Sequence, residues 1–571
     1  MLILVYIRRF LMNIITNLNS ILWGTPMLVF MMSAGVFFSV GTGFFQLRHP
    51  LHCLKQTILS RHSCNDTDRH SVSQFQAMSS ALAATLGTGN ITGVSAALAA
   101  GGAGAVFWMW VSALFGMMTG YAENLLGIRY RQRTKDGEWR GGAMYYIRYG
   151  LEHTRARPLA KPLACIFAAL CVLSAFGMGN LAQSNSAAAA LCANFSVPPL
   201  VTGAALAVIV TLVICGGVKR VGAMSAKIVP LMSCFYIIGA LWIMTANIAR
   251  LPDVFGAIFE GAFGIDAVSG GISGHIIKQA VSMGFRRGVF SNEAGLGTSV
   301  AAHAASDIKD PCIQGMWSIF EVFFDTIIMC SLTAVILLAS PCTAPTAEQA
   351  FSRISTQPQY FLLTSSESII TDGAPCLEAG QGESQQFRTM YATSFEYAVS
   401  DGSMTFSNIM TVTGIQSTDA DGKPIFLDSA KTIPLIERVE INEVTGSELA
   451  TYAFSQTFGS AAGKLLAVSV VLFAFSTIIG WSCFGSQAAV YIFGKRAEKP
   501  FRVLFILSTI SGAALDFSAV WGVCDLVNGL MALPNLTALF ILSPQVFSAT
   551  DEYCRRVFGK KKKLHANSNE R

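Results

Sequence analysis

The chain has 571 residues, of which 52% are hydrophobic and only 13% are charged, and its mean hydropathy is +0.50. A composition this apolar excludes a soluble protein and predicts an all-α polytopic membrane protein. The net charge is +6, and the Lys and Arg residues lie in short loops between apolar runs. In such loops basic residues determine how the chain is oriented in the membrane. The charge therefore does not point to a nucleic-acid partner.

Apolar windows of about 20 residues predict eleven transmembrane helices. They lie at 21–46, 75–100, 104–128, 163–190, 198–217, 225–248, 275–305, 314–340, 462–492, 502–520 and 523–545. Residues 1–20 contain Arg8 and Arg9 and no small-residue cleavage site, which is typical of an interfacial segment. A glycine-rich linker is expected between the sixth and seventh spans.

Basic residues predict the orientation of these spans. Nine Lys or Arg lie between Arg129 and Lys161, and every second loop is basic, whereas the short alternate loops are nearly free of positive charge. The amino terminus is therefore expected outside, and the basic tail, 546–571, in the cytoplasm. We expect the lipid environment to be a cell (inner) membrane.

The same count places residues 341–461 outside the cell. Residues 341–450 carry fourteen Asp or Glu against five Lys or Arg, with alternating patterns near 386–399 and 403–415 and turn signals at 400–402 and 419–422. A small β-rich external insert is predicted. Cys342 and Cys376 are able to pair in an oxidising compartment, although their spacing does not establish a disulfide.

The second span is interrupted at mid-depth by residues 86–93, Leu-Gly-Thr-Gly-Asn-Ile-Thr-Gly. Backbone that leaves the helical ladder inside a bilayer must be satisfied by protein, ligand or ions. The two new helix ends attract opposite charges, since amides at a helix start favour anions and carbonyls at a helix finish favour cations. This break therefore predicts a central binding cavity.

The spans after the first form two blocks of five, 75–248 and 275–340 with 462–545. Span 7 is predicted to be interrupted at 287–297, and spans 4 and 9 carry corresponding segments at 177–183 and 475–481. Because five is odd, the second block starts from the opposite side of the membrane, which is the arrangement of inverted-topology repeats. Paired interrupted helices are typical of a secondary transporter.

Several motifs resemble the alanine or glycine:cation symporter family. They lie at 87–94, 101–111, 122–123, 130–131, 141–147 and 287–295, within a likeness that runs from about 23 to 492 apart from the external insert. The resemblance implies a leucine-transporter fold with one extra amino-terminal helix. It also implies symport of alanine or glycine with sodium by alternating access, with no cofactor, and we expect a monomer.

Three features depart from the usual family pattern. Gly-Ala-Gly at 102–104 replaces Gly-Pro-Gly, and Gly120 stands where Lys is frequent. The connection between spans 8 and 9 is also much longer than usual, which leaves the insert without an explanation from the family.

The substrate carboxylate is predicted to bind the amides of Thr88, Gly89 and Asn90, with Gln183 as a further donor. The ammonium is expected beside the span 7 break and span 9, where the partners are Phe290, Ser291, Asn292 and Thr477. By resemblance to the leucine-transporter fold, sodium would be held by Ala83, Leu86, Phe473, Ser476 and Thr477. Phe290 is also a candidate lid.

Each of these roles has a structural alternative. The alternative for Ser476 and Thr477 is a hydrogen bond back to their own helix, and the alternative for Gln183 and Asn180 is a purely interhelical hydrogen bond. Glu293, Arg286 and Arg287 form a candidate gate or coupling group, but Glu293 is equally suited to capping a helix or pairing with either arginine. Glu321 and Asp325, four residues apart, are expected to share one face of span 8 and to carry a proton or line the cation route.

Other functions fit the sequence less well. Proton-coupled amino-acid transport stays open, and so does a ligand sensor that uses the external insert. A channel would more naturally show rings of like residues from several subunits. A membrane enzyme is not expected, because the spans contain no metal-ligand cluster and His303 is read as a lone histidine without a carboxylate partner.

Overall fold

The computed structural model describes the helical part of the chain and seven short strands. The described residues are 17–19, 22–59, 71–135, 137–263, 270–339, 409–411, 417–418, 424–428, 431–434, 442–444, 460–515 and 517–559. Most of them are helical. Most of the predicted interfacial segment, both cysteines of the insert and residues 560–571 of the basic tail lie outside the described residues.

The described residues of the first half include twelve helices. They are α1 Thr25–Gly41, α2 Phe45–Arg48, α3 Pro50–Gln56, α4 Gln74–Thr85, α5 Thr92–Gly101, α6 Gly104–Tyr130, α7 Ala143–Tyr145, α8 Arg157–Phe176, α9 Ala182–Phe195, α10 Pro199–Ile214, α11 Gly217–Ala246 and α12 Leu251–Phe263. Non-α turns are the 3-10 segments Thr88–Asn90 and Ile248–Arg250 and the π-helical segments Tyr146–Gly150 and Gly177–Leu181. A two-stranded hairpin, β1 Gln132–Arg133 with β2 Trp139–Arg140, follows α6.

The second half continues with longer helices. They are α13 Gly270–Asn292, α14 Val300–His303, α15 Pro311–Val322, α16 Ser331–Ala339, α17 Ser460–Phe493, α18 Glu498–Ala514 and α19 Phe517–Phe558. A π-helical segment, Phe323–Cys330, joins α15 to α16, and a 3-10 turn, Lys495–Ala497, precedes α18.

Helices occupy all eleven windows that hydropathy selects. Within the described residues, six helical stretches are long and apolar enough to cross a membrane: α6, α8 with α9, α11, α15 with α16, α17 and α19. The apolar helices α1 and α10 are shorter, and the second and seventh windows hold helices that are interrupted or end early. The chain is therefore a mostly helical, multi-pass protein.

Two sequence expectations about helix boundaries were wrong. The segment expected to be a glycine-rich linker contains α12, because Val254, Ile258 and Ala262 recur at helical spacing and bury one face of that segment. Span 9 is not interrupted, since α17 runs unbroken through 475–481.

The five strands between 409 and 444 form two small antiparallel sheets. Strand β3 Ile409–Thr411 pairs with β7 Asn442–Val444, and β5 Pro424–Asp428 lies between β4 Ser417–Thr418 and β6 Lys431–Pro434. The predicted turn at 419–422 falls between the paired strands β4 and β5. The predicted strand at 386–399 lies outside the described residues.

The long helices pack in two groups that meet at α4. Helix α6 packs along α13 and α15, whereas α17 packs against α8, α9 and α11. Helix α4 contacts α11 and α17 of one group and α15 of the other, so the interrupted second span lies where the groups meet. A parallel bridge between Val72 and Ser306 joins the segment before α4 to the segment after α14.

A capping box fixes the start of α4. Gln76 N donates to Ser73 Oγ at 3.2 Å, and Ser73 N donates to Gln76 Oε1 at 3.2 Å. We expect Ser73→Ala to lower the free energy of unfolding by about 1 kcal/mol, because one amide at the helix start loses its acceptor. Thermal unfolding in detergent measures this effect. Ser33→Ala is the control, since the Ser33 hydroxyl donates to Phe30 O of its own helix, and an equal loss in both variants would contradict the capping role.

Candidate functional site

The interruption of the second span brings three elements into contact. Helix α4 ends at Thr85, and α5 begins only at Thr92. A methyl group on Gly87 would lie 2.7 Å from Thr477 Oγ1 and 3.1 Å from Gln183 Oε1. Only glycine permits this approach. The break therefore contacts Gln183 on α9 and Thr477 on α17, which the sequence placed in the same site.

Gln183 accepts two hydrogen bonds from Thr88. Thr88 N and Thr88 Oγ1 donate to Gln183 Oε1 at 3.0 Å and 2.9 Å. Gln183 Nε2 donates to Met178 O at 3.0 Å, inside the π-helical segment that precedes α9. An amide oxygen is thus held against the predicted carboxylate site. Asn180 has the interhelical role considered for it, since its amide donates to Phe505 O on α18 at 2.6 Å.

Asn90 connects the two interrupted spans. Its Oδ1 accepts from Gly87 N at 3.0 Å, which stabilises the 3-10 turn. Its Nδ2 donates to Ser291 Oγ at 3.1 Å and to Asp325 Oδ1 at 2.7 Å. One fully buried side chain therefore orders the break and contacts both α13 and the π-helical segment 323–330.

Asp325, which was expected from the sequence to carry a proton or line the cation route, lies beside the first break. Its carboxylate is fully buried and accepts from Asn90, from Ser291 Oγ at 2.7 Å and from Thr326 Oγ1 at 2.8 Å. The ion pairs found within the described chain do not include it. A carboxylate at mid-span was the available signal, but nothing in the sequence places a π-helical turn there to direct it at Asn90.

Most of the predicted sodium ligands converge on Leu86 O. Ser476 Oγ and Thr477 Oγ1 lie 3.4 Å and 3.3 Å from this carbonyl oxygen, and Ser476 Oγ donates to Phe473 O at 2.8 Å. Ala83 is fully buried one helical turn before Leu86. Ser476 thus bonds back to its own helix, as the structural alternative allows, and also approaches the end of α4.

The break in span 7 lies further along the chain than the sequence suggested. Residues 287–292 are helical, and the non-helical segment covers 293–299. It begins where Glu293 has φ 56°, and Gly295 and Gly297 also have positive φ. Phe290, Ser291 and Asn292 therefore form the last turn of α13. Their carbonyls belong to a helix end, and the Asn292 amide donates to Thr326 Oγ1 at 3.2 Å.

Phe290 faces the first break. A methyl group on Gly89 would lie 3.6 Å from the Phe290 ring, and the guanidinium of Arg287 lies 5.5 Å from the ring centroid. Little space separates Gly89 from this aromatic side chain.

Glu293 does not pair with either arginine. Its Oε2 accepts from Thr298 Oγ1 at 2.5 Å, and its Oε1 accepts from Trp481 Nε1 at 3.2 Å. Arg286 instead forms an ion pair with Asp525 on α19, and Arg287 Nη2 lies 3.8 Å from the same carboxylate. The candidate gate is thus two separate groups, one at Asp525 and one inside the break.

A second buried carboxylate orders the span 7 break. Glu123 Oε1 accepts from Gly297 N at 3.0 Å and from Asn535 Nδ2 at 2.6 Å. The same amide nitrogen of Asn535 donates to Gly295 O at 2.9 Å. Asn535 was not anticipated, because no pattern in α19 marks it.

Glu321 and Asp325 do not act as a pair. Glu321 Oε1 lies 2.7 Å from His303 Nε2, and Gln314 Nε2 contacts the other ring nitrogen of His303. Asp325 contacts Asn90 and Ser291 instead, because the π-helical turn rotates it relative to Glu321. The expectation of a lone histidine was therefore wrong.

Comparisons with known proteins show which family this chain resembles. The family model described as the sodium:alanine symporter family matches residues 8–366 and 392–568. The sodium/alanine symporter AgcS of Methanococcus maripaludis is 33% identical over 541 residues, which cover 95% of this chain and 97% of AgcS.

Two Bacillus subtilis proteins are also similar. YrbD, named for carrying alanine with sodium or protons, is 40% identical over 327 residues, which cover 57% of this chain and 64% of YrbD. GlnT, named for sodium and glutamine, is 28% identical over 551 residues, which cover 96% of this chain and 92% of GlnT. The family match extends over most of the chain, and it includes both broken spans and α17. The chain belongs to the sodium:alanine symporter family.

Proposed function

We propose that this protein imports alanine or glycine together with sodium by alternating access. Membership of the family makes it a sodium-coupled amino-acid symporter, and AgcS is named for sodium and alanine. The observation that carries the proposal is the meeting of the α4 break with Gln183, Thr477 and Asn90. These groups offer donors for a carboxylate and oxygens for a cation within one buried region.

The substrate carboxylate replaces the amide oxygen of Gln183 in this proposal. Thr88 N and Thr88 Oγ1 both donate to Gln183 Oε1, so two donors already point at one oxygen. A carboxylate oxygen accepts such bonds more strongly than a neutral amide does. Gly89 provides a neighbouring amide just before α5, where the helix dipole also favours negative charge, whereas Asn90 N already donates to Gly87 O at 3.2 Å.

The ammonium group is placed at the end of α13. Carbonyls of the last turn of a helix are free to accept hydrogen bonds, and this turn includes Phe290 and Ser291. Asp325 adds a buried negative charge beside Ser291. The substrate ammonium is positively charged and carries several N–H donors, so it is attracted to this end of α13. The amides of the first break attract the substrate carboxylate.

Sodium is placed between α4 and α17. The ion prefers hard oxygen ligands. Leu86 O already lies within hydrogen-bonding distance of the hydroxyls of Ser476 and Thr477 on α17, and Ser476 Oγ also donates to Phe473 O of its own helix. Ala83 O completes the proposed set. Because α4 lies where the two helix groups meet, an ion held between α4 and α17 stabilises one position of α4 relative to the α17 group.

The sodium gradient drives uptake in this mechanism. A bound ligand moves a conformational equilibrium only by its differential affinity for the two states, so sodium and substrate must both bind best in the state that closes the site. Phe290, backed by Arg287, is the proposed lid over the substrate. The narrow space between Gly89 and this ring favours a small side chain.

Uptake of labelled alanine and glycine into proteoliposomes tests the proposal. We expect saturable uptake that an inward sodium gradient accelerates and that a pH gradient alone does not. Acceleration by an inward proton gradient without sodium would support the proton-coupled alternative instead. Uptake that rises linearly with substrate concentration would indicate a channel.

Thr477 provides a test of the sodium ligands. We expect Thr477→Ala to raise the half-saturating sodium concentration about fivefold, because losing one neutral oxygen contact costs about 1 kcal/mol. Thr477→Ser keeps the hydroxyl and is expected to behave like the wild type. Sodium titrations of alanine uptake measure both variants, and an unchanged sodium dependence in Thr477→Ala would remove this residue from the site.

A further inference from the structure

A polar cavity lies at the end of the molecule that carries the basic loops. Its volume is about 250 Å³, several times the roughly 30 Å³ that one water molecule occupies in the liquid. Its walls come from strand β2, the start of α11, the second half of α17 and the start of α18. In the proposed orientation this end of the molecule faces the cytoplasm.

The cavity lies between α17 and the segments beside α4 and α14. Val72, just before α4, and Ala305, just after α14, line one side, whereas Ser482 and Ser486 of α17 line another. Gln487 of α17 connects these sides, since its Oε1 accepts from Gly141 N at 3.2 Å and its Nε2 donates to Ala301 O at 2.9 Å. A shift of α17 relative to these segments would therefore change the shape of this cavity.

The cavity lies close to the proposed sodium ligands along α17. Ser482 follows Ser476 by six residues, which corresponds to about 9 Å along a helix axis. Gly480 lies between them, and a methyl group there would be 2.8 Å from Ala84 N. One close contact between the α4 and α17 backbones thus separates the cavity from the central site along this helix.

Both signs of charge line the cavity. Arg502 forms an ion pair with Glu498 on α18, and Arg140 Nη2 lies 3.9 Å from Glu138 Oε2 on the hairpin. These four side chains are partly solvent-accessible, so they are able to exchange partners without leaving a buried charge unpaired. An ammonium group fits the carboxylates and a carboxylate group fits the guanidinium groups.

We propose that this cavity is a second binding site for the transported amino acid, which occupies it between the central site and the cytoplasm. The zwitterion exchanges with the Arg502–Glu498 pair, its carboxylate on Arg502 and its ammonium on Glu498. This inference rests on the proposed function, because the ligand is the substrate of that function. It adds a site that is distinct from the two helix breaks in position and in residues.

Protection of a cysteine in the cavity tests the proposal. Ser486→Cys places a thiol of similar size on the cavity wall, and inside-out membrane vesicles expose this face to N-ethylmaleimide. Labelling at residue 486 is quantified by peptide mass spectrometry with increasing L-alanine. We expect alanine to slow labelling in this variant, and equally when Asn90→Ala is added to disable the central site.

Removing the proposed partners should weaken protection. Adding Arg502→Gln or Glu498→Gln is expected to raise the alanine concentration for half-protection about tenfold, because a charge-assisted hydrogen bond is lost. Arg148→Gln is the matched control, since Arg148 pairs with Glu152 four residues away at 3.0 Å and does not line the cavity. It should leave protection unchanged.

Two results would overturn the second site. If alanine does not protect the cysteine at residue 486, the cavity does not bind alanine. If protection disappears when Asn90→Ala is added, the labelling reports only binding at the central site. Sodium-driven uptake by the wild type is measured separately. If that uptake is absent, the proposed function fails, whereas its presence without protection refutes the cavity site alone.

Discussion

Replacing Asn90 with alanine is expected to reduce sodium-driven alanine uptake about 10- to 100-fold. Asn90 donates to Asp325 Oδ1 and Ser291 Oγ and accepts from Gly87 N, and all these groups are buried. A hydrogen bond to a charged group contributes about 1.5–3 kcal/mol, which corresponds to this range in rate or affinity. The initial rate of uptake into proteoliposomes at low alanine concentration measures the loss.

The control for Asn90 is the same substitution outside the site. Asn194→Ala removes an amide that donates to Ala190 O in its own helix, so uptake should stay close to that of the wild type. Size-exclusion profiles in detergent establish whether both variants fold. Wild-type uptake by a well-folded Asn90→Ala variant would mean that the helix break does not hold the substrate.

The first break was predictable because its local chemistry is visible in the chain. Glycines next to Thr88 and Asn90 at mid-bilayer depth are not expected in a continuous lipid-facing helix. The observed 3-10 turn lies inside the predicted segment. The second break was misplaced. Arg287 and Gly288 suggested an early interruption, yet Arg287 lies near Asp525 on α19, so the helix continues to Asn292.

Long-range contacts account for what the sequence could not supply. The π-helical turn 323–330 contains no glycine or proline, and its only trace in the sequence is a buried Asp325. Glu123 and Asn535 meet at Gly297 although they lie far apart in the chain. A sequence pattern within one span shows that polar groups of this span need hydrogen-bond partners from elsewhere. It does not identify the distant side chains that supply them.

The matching segments of spans 4 and 9 illustrate the same limit. Residues 177–181 form a π-helical segment, whereas 475–481 stay α-helical because Gly480 is needed for close packing against Ala84 and not for a turn. Glycine and hydroxyl residues thus signal close approach as readily as a break. Whether such residues break a helix or allow close packing is decided by the helix that packs against them.

Replacing Asp325 with asparagine is expected to abolish most uptake, with a loss of about 100-fold or more. Its carboxylate accepts from Asn90, Ser291 and Thr326, and an asparagine amide would direct N–H groups at these donors. Disrupting a buried charged network costs about 3–5 kcal/mol, and here the lost charge also removes the attraction for sodium or the substrate ammonium. Initial rates at saturating and limiting sodium measure the effect.

Asp253→Asn, at an exposed position on α12, is the control and should transport normally. If well-folded Asp325→Asn retains wild-type uptake, the buried charge serves neither ligand, and cation binding must then depend on the neutral oxygens of Leu86, Ser476 and Thr477.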